Sequence, residues 1–231
     1  MAWPTRGQDR SASPNTYDAV GNRLSSFAVP TYSYNSANEL TSSTAGSYTY
    51  DNNGNTLTDA TGKSYAWDFE NRLTQVSVPQ TGGGSTLLTF KYDPFGRRIQ
   101  KSDPSGTTNY LYDRINSIEE LDPSGAVVSR YAQATGIDEP LADVRSGMTN
   151  FYDADGVNSI TSLTNANGSL VQTYIFDSFG IQTASSGSLV NPFQYTGREA
   201  DSETGLYYYQ LLPLPILRSK RWPICFRRQH S

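Results

Sequence analysis

Apolar positions in this chain come in short alternating bursts and never in a sustained helical spacing. In Tyr48-Thr49-Tyr50 and Tyr110-Leu111-Tyr112 the aromatic residues recur at a period of two, which puts them on one face of a strand. Between the bursts lie Asp, Asn, Ser and Gly, the residues that make turns by bonding their own backbone or by accepting positive φ. Asp103-Pro104-Ser105-Gly106 and Asp122-Pro123-Ser124-Gly125 have Pro second and Gly fourth, as tight turns favour. Residues Thr107 to Val128 therefore read as two strands with their bounding turns. No helix of ordinary length can be placed. The pattern predicts an all-β chain of repeated antiparallel hairpins.

The hairpins repeat in sequence as well as in pattern. Tyr17-Asp18-Ala19-Val20-Gly21-Asn22-Arg23-Leu24 is echoed by Tyr34-Asn35-Ser36-Ala37-Asn38-Glu39-Leu40. Tyr50-Asp51-Asn52-Asn53-Gly54-Asn55-Thr56-Leu57 and Trp67-Asp68-Phe69-Glu70-Asn71-Arg72-Leu73 follow, so the leading aromatics step by 17, 16 and 17 residues. After a Gly-rich insertion, Tyr92-Asp93-Pro94-Phe95-Gly96-Arg97-Arg98-Ile99 repeats the unit. Tyr112-Asp113, Tyr152-Asp153 and Phe176-Asp177 are looser copies. In each unit an aromatic residue enters on a strand, Asp starts the turn, and Gly or Asn takes positive φ. A second strand then follows, with Leu or Ile as its expected apolar anchor. A unit this small cannot bury its own apolar face, so its order must come from lying against its neighbours.

Composition narrows the function classes. The 231 residues include 16 Tyr against 9 Phe and 2 Met, so much of the apolar surface carries a polar tip that needs a partner. A formal charge of −4 supplies no basic stripe for nucleic acid, and no nucleic-acid partner is expected. One Cys (Cys225) and one His (His230) leave little for disulfide, zinc or histidine chemistry. No signal peptide or membrane-spanning run is apparent. A catalyst is not expected, and no cofactor is.

These units resemble the YD-repeat proteins of the Rhs type, related to the β-shells of teneurins and of insecticidal toxin complexes. Tyr17 to Leu24 matches the YDxxGNRL signature at every fixed position. The second half is similar to the Rhs repeat-associated core. It carries Tyr131, Gly136 to Leu141, Thr164 to Gly168, and Tyr174 to Gly180. The most specific block is Asn191-Pro192-Phe193-Gln194-Tyr195-Thr196-Gly197-Arg198-Glu199 leading to Glu203-Thr204-Gly205-Leu206-Tyr207-Tyr208-Tyr209. The resemblance implies part of a spiral β-shell that in full-length relatives encloses and helps deliver a C-terminal toxin. It also implies secretion machinery as a partner and a secreted or cell-surface location. A carbohydrate- or cell-surface-binding repeat module is the alternative, because exposed aromatic residues along a sheet can stack on sugar rings.

The expected organisation is a disordered segment over 1–14, YD-repeat hairpins over 15–130, an incomplete core over 131–209, and an aberrant tail over 210–231. Two departures from the family stand out. At residues 153–159 the family commonly has His and a second Gly. After Tyr209 the chain turns abruptly to Leu, Pro, Arg and Trp, where the family continues with a GRF-type motif. Codons for the stretch from Ile216 can be chosen so that reading one base later gives YYDPNGGRFVSEDSI, which resembles the family's continuation. The tail is therefore expected to be frameshifted.

Candidate sites are structural. Tyr17, Tyr34, Tyr50, Trp67 and Tyr92 are expected to pack between hairpins. Asp18, Asp51, Asp68 and Asp93, with Gly21, Gly54 and Gly96, are expected to set the turns. Tyr195, Gly197, Arg198, Glu199, Gly205, Tyr207 and Tyr208 mark the core motif. Asp51 to Asn55 and Asp153 to Gly156 superficially resemble calcium loops but lack the Gly and bidentate Glu spacing, and no metal site is assigned. Glu119 and Glu120 point to opposite faces of a strand and cannot pair as acid and base. They and Asp138-Glu139 read as solvated strand charges. Toxin-bearing relatives cut themselves after a downstream DPxG-type motif, whereas the two DPSG stretches here lie upstream. Self-cleavage is not carried over to them and is expected to be absent.

Overall fold

The structure, a computed structural model, describes residues 15–26, 29–177 and 180–209. The expected disordered segment 1–14 and the expected frameshifted tail from 210 lie outside the described residues. Among those described, every regular element is a strand except one 3-10 turn. The all-β, antiparallel-hairpin reading holds. The described residues divide into two compact units, one up to Thr86 and one from Leu87. The motif boundary expected at 130/131 falls inside a strand of the second unit.

In the first unit, β1 (Thr16–Tyr17) pairs with β2 (Arg23–Ser25). A separate three-stranded set contains β3 (Tyr32–Tyr34), β4 (Leu40–Ser43) and β5 (Gly46–Ser47). Then β6 (Thr49–Tyr50), β7 (Thr56–Thr58), β8 (Ser64–Trp67) and β9 (Leu73–Pro79) pair in chain order. Tyr65 and Val76, opposite each other on β8 and β9, are its buried apolar residues.

The second unit is a meander in which each strand pairs antiparallel with the next. Its strands are β10 (Ser85–Tyr92), β11 (Arg98–Asp103), β12 (Gly106–Asp113), β13 (Asn116–Leu121), β14 (Val127–Gln133), β15 (Pro140–Arg145), β16 (Met148–Ala154), β17 (Ile160–Asn165), β18 (Leu170–Phe176) and β19 (Gln182–Ser186). The chain then leaves the sheet, makes a 3-10 turn (Tyr195–Gly197) and ends in the hairpin β20 (Glu199–Asp201) and β21 (Leu206–Tyr208). The core is Tyr131, Ile160, Leu163, Tyr174 and Phe193, the last supplied by the returning segment.

The repeat turns share one geometry. In Asp51 to Asn55 the Asp51 N–H donates to the Asn55 carbonyl at 2.9 Å, and its Oδ1 accepts from the amides of Asn53 and Asn55. Asp18, Asp68 and Asp93 close their turns the same way. The residue four after the aromatic takes positive φ whether it is Gly54 (+84°) or Asn71 (+61°). Desolvation pushes the Asp93 carboxyl up, but the bonds it accepts from Arg97 and Phe95 outweigh this and hold it below the ordinary value.

One expectation is corrected. The residue facing the leading aromatic is the sixth after it, as in Tyr34↔Leu40 and Trp67↔Leu73. In the YDxxGNRL form the aliphatic residue is seventh, so Tyr17 faces Arg23, Tyr50 faces Thr56 and Tyr92 faces Arg98. An offset of one residue turns a side chain to the opposite face. Leu24 (41% exposed), Leu57 (37%) and Ile99 (37%) accordingly point outward instead of anchoring the unit. Thr56 and Arg98 are buried in their place.

Candidate functional site

The leading aromatics join successive units through their polar tips. The Tyr50 hydroxyl donates to the carbonyl of Leu40 at 2.8 Å, and the Trp67 indole N–H donates to that of Thr56 at 2.8 Å. The Tyr112 hydroxyl donates to that of Arg98 at 2.9 Å. Each acceptor is the sixth residue of the preceding unit, so one bond type recurs from hairpin to hairpin. Burial pushes the Tyr50 phenol up to about 12. Asn side chains add a second stitch, with Asn22 donating to Asn38 at 3.0 Å and Asn55 to Asn71 at 2.8 Å. Tyr34, Tyr50, Trp67 and Tyr92 are half-buried, whereas Tyr17 is 53% exposed beneath the Arg23 guanidinium.

The chemistry concentrates where the returning segment crosses one face of the second unit's sheet. The Leu189 amide donates to Gln172 on β18, and Asn191 donates to the Tyr174 hydroxyl. Phe193 meets the ring of Tyr131 edge-on at 4.9 Å and that of Tyr152 at 6.0 Å. The Thr196 amide donates to Ser159 Oγ at 3.0 Å. Tyr195 stacks obliquely on Phe176 and Tyr207. Gly197, at φ +68°, lets the chain pass so close to Asp138 that a methyl group there would strike the Asp138 carbonyl. Arg198 then pairs with Asp138 at 2.7 Å.

Beyond this point the segment delivers two carboxylates to Arg98, which is 3% exposed. Glu199 meets one terminal nitrogen at 2.8 Å and Asp201 the other at 2.6 Å. Lys101 joins from the same strand, 3.2 Å from Asp201 and 2.7 Å from Glu203. The rings of Phe90, Tyr110 and Tyr208 lie 5.3, 5.5 and 4.6 Å from the Arg98 guanidinium carbon, within cation–π range. Tyr208 also accepts the Arg98 backbone N–H at 2.9 Å and donates to the Gly96 carbonyl. Burial works against the Arg98 charge, but Asp201, Tyr110 and Glu199 outweigh it and raise the group well above its ordinary value. Burial pushes the Glu199 carboxyl up, opposed by Arg98. Gly205, at φ +69°, closes the turn between β20 and β21.

Two charges expected to be solvated are not. Glu119 faces outward and pairs with the exposed Arg130 at 2.7 Å. Glu120, on the opposite face, is buried; it accepts from the Tyr131 hydroxyl at 2.6 Å and pairs with Arg145 at 2.6 Å. Asp138 is also partly buried, and desolvation pushes its carboxyl up to about 6 against the pull of Arg198. Strand alternation separates Glu119 from Glu120, but only the register of β14 and β15 shows that the inward one finds Arg145. Arg98 itself was missed by sequence reasoning. The available signal was its place six residues after Tyr92.

The pattern defining the Teneurin YD-shell family matches residues 4–210. The chain belongs to that family. As an Rhs/YD-repeat protein it is similar to two Bacillus proteins named WapA. It is 32% identical over 213 residues to the tRNA3(Ser)-specific nuclease WapA of Bacillus spizizenii, and 33% identical over 213 residues to the tRNA nuclease WapA of Bacillus subtilis strain 168. Each match covers 87% of this chain but 9% of the relative, so the chain spans about a tenth of those proteins. Its fold is similar to a Photorhabdus luminescens Tc holotoxin pore structure, with a TM-score of 0.51 and 16% identity over 85% of this chain and 14% of the other. A TcdB2-TccC3-Cdc42 complex matches with a TM-score of 0.51 and 16% identity, over 85% of this chain and 15% of the other.

Proposed function

We propose that this chain is a non-catalytic piece of a YD-shell wall, and that in longer relatives such a wall encloses a C-terminal toxin and helps deliver it. The observation that carries the reading is the returning segment. A largely aromatic and aliphatic sheet face is covered by a stretch of the same chain that ends in a buried ion cluster. That arrangement supports a structural role for these residues, with every charge of the cluster spent on an ion pair. The relatives named as tRNA nucleases support a toxin context, yet their activity belongs to proteins of which this chain covers 9%. Secretion and a cell-surface location follow from the same reading.

The test is limited proteolysis of the full gene product that contains this segment. Resistance of its C-terminal region until the wall is opened by denaturant supports the reading; cleavage at the rate of an unfolded chain contradicts it. A tRNA-cleavage assay of the isolated chain is expected to show no activity above buffer. The carbohydrate-binding alternative is favoured by Phe69 and Phe95, which stand exposed at turn tips, and glycan-array binding by the isolated chain would select it.

A further inference from the structure

The face of the second unit's sheet away from the returning segment carries an apolar block in its middle. On β14, β15 and β16 the buried Tyr131, Asp143 and Asn150 alternate with Ala132, Ala142, Val144 and Phe151, which point the other way. Ala132 stands opposite Ala142, and Ala142 opposite Phe151, so a shallow hollow floored by two methyl groups lies beside a projecting ring. Leu141, the extra residue of the bulge next to Ala142, and Leu170, across Thr164 from Phe151, extend the block. Phe151 is 46% exposed, Val144 43%, Leu141 53% and Leu170 61%. On the rim, Arg130 lies between Val144 and Glu119 and pairs with Glu119 at 2.7 Å.

Two properties of the block say what covers it. The first is area. With Leu111 and Val128 at its margin, these fractions leave roughly 500–600 Å² of apolar surface, at the top of the range for one patch on a monomer. With the rim added, a flat partner covers roughly 800 Å² on each side, the area a stable pair of proteins buries. The second is self-complementarity. A two-fold contact sets a patch against itself, so the patch must hold both halves of every match. This one holds a knob and a hollow side by side, and one positive and one negative group side by side. Its charges cancel, so it offers no pull toward an acidic or a basic partner.

We propose that this sheet face docks on the same face of a second copy of the chain. Phe151 of each copy fills the alanine hollow of the other, and Arg130 of each meets Glu119 of the other across the axis. The two sheets then stack face to face about 10 Å apart, as in a β-sandwich.

The test is sedimentation velocity of the full chain from about 1 to 300 µM, with reductant present so that Cys225 cannot link copies. A monomer–dimer equilibrium with a dissociation constant on the order of 10 µM is expected, as suits an interface of standard size with one aromatic anchor on each side. Phe151→Glu puts a carboxylate in the hollow and should weaken association by about thirtyfold or more. Arg130→Glu sets carboxylates against carboxylates across the axis and should weaken it about tenfold, and adding Glu119→Arg should restore it, because both signs are then exchanged on both copies. Circular dichroism checks that each variant folds. Should one fail, the methyl resonances of Val144, Leu141 and Leu170 in the native chain should shift between about 20 and 300 µM. A chain that stays monomeric throughout, or concentration-dependent shifts confined to other residues, overturns the proposal. So does a dimer that survives Phe151→Glu but is lost with Ala184→Pro, since those copies are joined along the edge strand β19.

Discussion

Arg98→Met is the sharpest perturbation of the clasp between the returning segment and the sheet. Methionine keeps much of the arginine's length and its contact with Phe90, Tyr110 and Tyr208, so the volume lost is small. What it removes is the positive charge between Glu199 and Asp201, 2.8 and 2.6 Å away, in a site that is 3% exposed. Taking one partner from a buried ion cluster costs about 3–5 kcal/mol, because the remaining charges stay desolvated without compensation. Lys101 still reaches Asp201 at 3.2 Å, so the lower part of that range is expected at neutral pH. For a chain of this size the loss corresponds to a fall in the thermal midpoint of about 6–20 °C. Urea unfolding followed by circular dichroism measures it, and proteolysis near Tyr209 shows whether the segment lifts first. Adding Glu199→Gln and Asp201→Asn to Arg98→Met should restore much of the loss, because the whole cluster is then neutral. A loss below about 1 kcal/mol for the single variant, or no recovery in the triple one, would refute the reasoning.

Other perturbations probe the repeat and the segment separately. Tyr50→Phe deletes the bond to the Leu40 carbonyl while keeping the ring, and should cost about 0.5–1.5 kcal/mol in urea unfolding. Because Tyr50 is half-buried, Tyr50→Ala should cost less than the 3–5 kcal/mol typical of a fully buried ring. Gly197→Ala places a methyl against the Asp138 carbonyl at φ +68° and should lower the midpoint clearly, whereas Gly168→Ala, also at positive φ but in open space, should cost less. Asp138 is raised in the folded state, so that state holds its proton more tightly than the unfolded chain does. Its contribution is fully present below the ordinary carboxylate range and is lost as pH rises through about 6, and Asp138→Asn should flatten that part of the stability–pH curve.

Local turn chemistry made the hairpins legible in the sequence. An aromatic, an Asp and a Gly or Asn at fixed spacing suffice to close a turn, and every bond involved lies within five residues. Face assignment was less legible, because the repeat keeps its turn constant while the aliphatic residue shifts between the sixth and seventh places. The expectation that Leu or Ile anchors the second strand therefore fails at Leu24, Leu57 and Ile99, which point outward. The ion cluster was hidden for a different reason. Arg98 meets its carboxylates across 101 and 103 residues of sequence, and nothing local distinguishes an inward-facing arginine from a solvated one. Glu120 was misread on the same ground: its partner Arg145 is two strands away.

Native-state hydrogen exchange on the full chain tests most directly whether the hairpins hold one another in order. Amides of β11 to β18, those of Ser129, Tyr131 and Leu163 among them, should open together at one free energy, matching that of global unfolding in the second unit. Hairpins that exchange one at a time, each at its own low free energy and indifferent to Arg98→Met, would contradict the account.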